Sequence, residues 1–143
     1  MIAVTQTKRG GSGAPPEERG DCWNACLASV LEVPIGDVAV EHSDDPDRHW
    51  WDETQDVLQP HGYRVVCADR DIYPGGYWIA QVPSRNLRDA DGKPEGHVIV
   101  MRDGVVAHDP SLGRRYQPGT NIDELNVAAA YVLVPLEVRS LAA

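Results

Sequence analysis

Apolar positions along the chain form two helical patterns followed by a series of short strand patterns. In GDCWNACLASVLEVP, Trp23, Cys26, Leu27, Val30 and Leu31 recur at the i, i+3, i+4, i+7, i+8 spacing of a buried helix face. Asp21 stands at the N-cap position and Pro34 at the stop, so the helix is predicted to begin almost on Cys22. Ala25 and Ala28 leave one flank of it slim enough for a sheet to approach. A second amphipathic segment, 47–58, presents Trp50, Trp51, Thr54, Val57 and Leu58 on one face, and Gly62 closes the loop behind it. The pattern then changes to short runs rich in β-branched and aromatic residues, at 63–67, 77–82, 97–101, 105–109 and 131–138. Segment 121–129 reads as one further short helix. Helices first and consecutive strands after them, with Asp103-Gly104 as a hairpin turn, predict an α+β domain on a mainly antiparallel sheet.

A length of 143 residues fits a single domain spanning the chain, large enough to bury a core without disulfides or a metal. No internal repeat is visible. Segment 7–20, TKRGGSGAPPEERG, holds four Gly and two Pro with almost no apolar side chain and reads as a mobile loop. Phe is absent, so the four Trp and five Tyr must supply the large aromatic volume while each carries a polar group to satisfy.

Charge narrows the function classes. Lys and Arg number 13 against 22 Asp and Glu, a formal charge of -9, and no basic stripe appears, which argues against a nucleic-acid partner. The longest nearly uncharged apolar run, 127–136, is about half of a bilayer span and contains Pro135, so no membrane partner is expected. Three cysteines cannot all pair, and the start MIAVTQTKRG lacks the apolar core of a secretory signal. Both features point to a reducing, cytoplasmic setting in which the thiols stay free.

Free thiols raise the question of nucleophilic chemistry. A cysteine in the first turn of a helix sits in the positive end of the backbone dipole, where the thiolate is favoured. Cys22 occupies that place; Cys26 lies one turn further in among apolar neighbours and Cys67 ends an apolar strand, so both read as packing residues. A base is also needed. Of the five His, His42 and His49 lie in the acidic stretch EHSDDPDRH and read as solvated loop residues, and His61 lies in a Pro-His-Gly turn. His97 opens the apolar run Val98, Ile99, Val100, Met101, which puts a titratable ring at the mouth of a buried strand.

The hairpin HVIVMRDGVVAHDP offers two partners to orient His97, namely His108 and Asp109. A two-residue Asp103-Gly104 loop puts His97 on the same face as His108; a three-residue loop, with Gly104 left-handed as a bulge, sets it opposite Asp109. The x-Asp-Gly sequence suits the longer form, with Cβ atoms about 5 Å apart, and selects Asp109 to hold the imidazole tautomer. The plain alternative is that Asp109-Pro110 only ends the strand.

Taken together, GDCWNACLASVL, GHVIVMRDG and HDP resemble the papain-like cysteine peptidases, most closely those of the C39 type, and small C39-like proteins of bacteriophage and bacterial genomes. The likeness runs from Gln6 to Asp109 and lies in order and spacing rather than in any one motif. It implies a papain-like fold, with Cys22 as nucleophile, His97 as general base and acid, and Asp109 as orienter. No cofactor is implied; the partner is a peptide or protein substrate and the setting cytoplasmic. Papain-like enzymes also place an oxyanion-hole glutamine before the nucleophile, whereas Pro16, Glu17 and Glu18 stand nearby here. Gln6, the one upstream glutamine, takes that role if 7–20 is an inserted loop. The same triad serves acyl transfer and deamidation, and some C39-like domains bind peptides without catalysis. A metal site using Cys22, His97 and His108 lacks any metal-ligand spacing. The acidic segment 41–52 reads as a solvated connection, and Gly75, Gly76 and Ser84 as neighbours of the cleft.

Overall fold

The computed structural model describes residues 1–42, 44–69, 75–113 and 115–136. Among the described residues two α-helices precede a five-stranded sheet. Helix α1 spans Cys22–Leu31 and α2 spans Trp50–Leu58. The strands are β1 (Tyr63–Ala68), β2 (Tyr77–Arg88), β3 (Pro94–Arg102), β4 (Val105–His108) and β5 (Ala129–Pro135). Their spatial order is β1-β5-β2-β3-β4, and every pairing between them is antiparallel. The α+β class and the antiparallel sheet thus agree with the sequence pattern.

Both faces of the sheet are covered. One carries α1, packed on β3, and α2, packed on β1, around Trp23, Leu27, Leu58, Ile79 and Val100. The other buries Trp78, Ile99, Met101 and Val106 beneath Tyr116 and Ile122 of the chain between β4 and β5. Polar side chains fasten the layers at defined points. Trp23 Nε1 donates to Thr54 Oγ1 at 3.0 Å, and that hydroxyl donates to the Trp50 carbonyl, tying α1 to α2. Gln55 both donates to the Val65 carbonyl and accepts from its N–H, which occupies backbone groups of the edge strand β1. Asn24 does the same for Val40 behind α1.

Helix α1 ends ahead of the Pro34 stop as expected, with Glu32 as a left-handed C-cap at φ 59°. Three expectations need correction. First, 121–129 forms only the 3-10 turn Ile122–Glu124; β-branched and Asn content leaves it no longer helix. Second, the β3–β4 loop has two residues, since Arg102 pairs with Val105, and Asp103 takes the left-handed φ of 51°. The irregularity lies inside the strands, where Val100 faces His108 but Met101 faces Val106, leaving Ala107 as the extra residue. Third, β2 and β3 extend beyond the expected runs as far as Arg88 and Pro94. Residues 137 and 138, expected at the end of the last strand, lie outside the described residues.

Pairing of β2 with β3 slips between Pro83 and Arg88. Pro83 has no N–H to give to the ladder, and a bulge is where a sheet accommodates proline. The slip occurs opposite Gly96, next to His97. Among the described residues no helix is long and apolar enough to cross a membrane.

Candidate active site

Cys22 is the first residue of α1 and is partly exposed, whereas Cys26 is fully buried. Burial, reinforced by the nearby charges of Cys22 and Asp109, pushes the Cys26 thiol well above its ordinary pKa and leaves it a packing group. Cys67, expected to be buried, is exposed at the end of β1. Asp21 holds the N-cap position, but its side chain does not cap the helix. Its carboxylate instead accepts from Thr7 N at 2.8 Å, Thr7 Oγ1 at 2.6 Å and Lys8 N at 2.9 Å, which pins the incoming chain across the head of α1.

The His97 ring is hydrogen-bonded to Asp109 and lines the same cleft as Cys22. Nε2 donates to Asp109 Oδ1 at 2.8 Å, so Nδ1 is the ring nitrogen left for the thiol. Burial opposes charge on the ring and is the largest single influence. The hydrogen bond to Asp109 and the nearby Cys22 thiol, with the negative charges there, outweigh it and raise the His97 pKa to about 9. Asp109 is 1% exposed. Burial there favours the neutral acid, but hydrogen bonds from His97, Ser111 N and Tyr116 N and the His97 charge hold the carboxyl below its ordinary range.

The contact between His97 and Asp109 therefore exists without the register that was expected to produce it. Strand β4 stops at His108 and pairs with β3 only from Val100 to Arg102, so Asp109 meets His97 just beyond the ladder. An Asx turn fixes it there, with Asp109 Oδ1 accepting from Ser111 N at 3.0 Å and Oδ2 from Tyr116 N at 3.1 Å. The Tyr116 ring stacks on His97 at an interplanar angle of 20°, while its hydroxyl donates to the Pro83 carbonyl at 2.6 Å. His108, the rejected partner, donates instead to the Val4 carbonyl at 2.7 Å.

Through that bond and others, the first residues of the chain are stitched along the site. Ile2 N donates to the Ser29 carbonyl, Val4 N to Ser29 Oγ, and Gln6 N to the Pro110 carbonyl at 2.9 Å. Gln6 is thereby delivered to the same cleft as Cys22 and His97. Its Nε2 donates to the Lys8 carbonyl at 2.8 Å, leaving one further N–H, while its Oε1 is buried with no partner.

The cleft encloses about 360 Å³. Trp23, Trp50 and Tyr131 form one wall, their rings meeting edge to face. His42 joins them, contrary to its expectation as a solvated residue. It is half-buried at a left-handed φ of 52°, and burial, aided by the Arg19 charge and opposed by Glu53, lowers its pKa. The acidic segment is partly self-paired, with Arg48 held by Glu41 and Glu53, and Asp44 holding Arg19. His49 is exposed and caps α2 through Nδ1. Ser84 borders the cleft, as expected, but Gly75 and Gly76 lie by the Asp103 turn, away from it.

Loop 7–20 closes on itself through Gly10 N to the Glu18 carbonyl and Gly20 N to the Gly10 carbonyl. Its tip crosses to β3, where Ser12 N donates to Glu95 at 3.0 Å, two residues from His97. Sequence reading missed this strap, the aromatic wall and Tyr116. For Tyr116 a signal existed, since a lone aromatic in the polar run SLGRRYQPGT needs a partner for both ring and hydroxyl. Among the described residues no three His, Cys, Asp or Glu side chains converge as metal ligands. Comparison of the chain with family models, curated proteins and solved structures gave no match.

Proposed function

We propose that the protein is a cysteine-dependent hydrolase of papain-like arrangement that cleaves a peptide, isopeptide or amide bond through an acyl-enzyme. The observation that carries this reading is the hydrogen-bonded His97–Asp109 pair sharing one cleft with Cys22 at the head of a helix. An imidazolium beside a thiol is the arrangement that favours a thiolate. In the reaction Cys22 Sγ, its proton held by His97 Nδ1, attacks the substrate carbonyl carbon. Negative charge develops on the carbonyl oxygen, and the first-turn N–H of Cys22 and the second N–H of Gln6 are the donors assigned to it. His97 returns the proton to the leaving amine as the C–N bond breaks and the thioester forms. Water then attacks the thioester, giving its proton to His97, and Cys22 departs with a carboxylic acid released. Asp109 keeps the proton on Nε2 and neutralises the imidazolium throughout. The setting that goes with this reading is the cytoplasm, a reducing compartment in which thiols stay free.

The test is labelling by a peptide aldehyde or vinyl sulfone followed by peptide mapping. Label on Cys22 that is lost in His97→Ala while Cys67 stays unmodified is the expected result. Equal modification of Cys22 and Cys67, insensitive to His97→Ala, overturns the proposal.

A further inference from the structure

The cleft does not end at His97. A second hollow, of about 380 Å³, shares Gln6, Arg9, Ser84, Leu87 and His97 with the first and continues past the ring to Ser111, Leu112 and Arg115. The two hollows are therefore two arms of one groove passing the reactive atoms, and their chemistry differs sharply. The first arm is walled by Trp23, Trp50 and Tyr131. Of its charged groups, Arg19 is held by Asp44 and the Ala14 and His42 carbonyls, Glu95 accepts from Ser12, and Arg9 borders both arms.

The second arm holds two guanidinium groups, Arg9 and Arg115, both exposed. Among the described residues neither makes an ion pair or a hydrogen bond. Asp109, the acid on this side, does not neutralise them, because it is buried and both its oxygens are occupied by His97, Ser111 and Tyr116. Leu112, 60% exposed, lies beside them as a bare apolar contact. In a chain of net charge -9, two unmatched cations flanking the reactive centre stand against the charge of the whole. Such a local patch concentrates anionic ligands that the rest of the surface repels.

We infer that the substrate lies across both arms, with an aromatic or large aliphatic side chain against Trp50 and Tyr131 and a carboxylate between Arg9 and Arg115. This rests on the hydrolase reading for the position of the scissile bond, but the binding claim is separable from it. The carboxylate has two sources, an Asp or Glu side chain or the C-terminal carboxylate of the peptide. Arginine suits either, since its planar fork meets a carboxylate in two parallel hydrogen bonds.

Binding is measured on full-length Cys22→Ser protein by tryptophan fluorescence, so that turnover is not required. The probes are acetylated octapeptides with one central Trp and, on either side of it, Glu, Gln or Lys, each made as the C-terminal acid and amide. Glu peptides are expected to bind at least about tenfold tighter than Gln peptides and to lose that margin as salt rises from about 0.05 M to about 0.5 M. A margin between acid and amide forms, in the absence of Glu, assigns the carboxylate to the chain terminus. Arg9→Ala/Arg115→Ala is expected to abolish the preference and Arg115→Glu to turn it toward Lys, while Arg64→Ala, exposed on β1, keeps it. Equal binding of Glu, Gln and Lys peptides in both acid and amide forms overturns the inference. So does an acidic preference that survives both arginine variants. Failure of the hydrolase reading shows separately, as absence of Cys22 labelling in the unmodified protein.

Discussion

The two sides of Cys22 are built to different standards. On the base side, His97, Asp109, Ser111 and Tyr116 form a network in which both Asp109 oxygens are used and the His97 tautomer is fixed. On the donor side, Gln6 has one N–H tied to the Lys8 carbonyl and a buried Oε1 with no partner. A buried acceptor left unpaired costs about 1–3 kcal/mol, so the base side is in its finished state and the donor side is not. In the proposed hydrolase, proton transfer would thus use an ordered network, whereas the Gln6 side retains an unsatisfied acceptor beside loop 7–20. The strap from Ser12 to Glu95 lies on the Gln6 side of the cleft.

The largest effect belongs to the pair to which the proposed chemistry is assigned. Cys22→Ala or His97→Ala is expected to lower probe acylation by at least about 10³-fold, with circular dichroism unchanged. Next comes the carboxylate. Asp109→Ala strips His97, Ser111 N and Tyr116 N of their acceptor, and a loss of about 3 kcal/mol in urea unfolding is expected, because buried partners are left unpaired. Asp109→Asn keeps the shape and is expected to lose about 10²-fold in acylation, with a smaller loss of stability.

Stability also depends on pH through His97. The folded-state pKa of about 9 lies above the ordinary 6.5, so the stabilisation is complete below pH 6.5 and is lost as pH rises through about 9. A change on the order of 2 kcal/mol is expected across that window in denaturant titrations, and His97→Gln should flatten it. Asp109 acts in the opposite sense. Its carboxyl is held below the ordinary range, so its contribution is present at neutral pH and is lost as the solution is acidified through the depressed value.

On the donor side the effects are smaller. Gln6→Ala should slow acylation by a peptide ester about tenfold, yet slow alkylation by a haloacetamide, which forms no oxyanion, less than about threefold. Equal slowing of both reactions would show that Gln6 acts on packing alone. Smallest is Ser12→Ala, expected to change stability by less than about 1 kcal/mol while lowering the KM of a peptide substrate by loosening the strap.

How much of this was written in the sequence differs between the same two sides. The helix on Cys22 and the strand after His97 follow from apolar spacing, which responds to burial on one face and so reports the elements faithfully. The Asp109 partner was selected for a reason the structure replaces. The bulge sits at Ala107 instead of Gly104, and the Asx turn through Ser111 brings the carboxylate to the ring. Turn chemistry of a single hairpin does not reveal a bulge deeper in the strands. Segment 7–20 reads as a mobile loop because polarity alone says nothing about long-range partners, and its contacts with Asp21 and Glu95 are of that kind. His42 looked solvated for the same reason, its burial depending on Trp50 from a later helix. Exposed Cys67 shows the converse, since an apolar strand at a sheet edge need not be covered to its end.

The most direct test of the base side is the alkylation rate of Cys22 as a function of pH, with exposed Cys67 in the same sample as an ordinary thiol for reference. If His97 holds a thiolate–imidazolium pair, Cys22 should outreact Cys67 most strongly at the acid end of a series from about pH 6 to about pH 9, and its rate should rise less across it. Under the same conditions Cys67 should show the steeper rise of a thiol with no imidazole beside it, and His97→Gln should give Cys22 that rise too. A Cys22 profile that tracks Cys67 in the unmodified protein and does not change in His97→Gln would contradict the account.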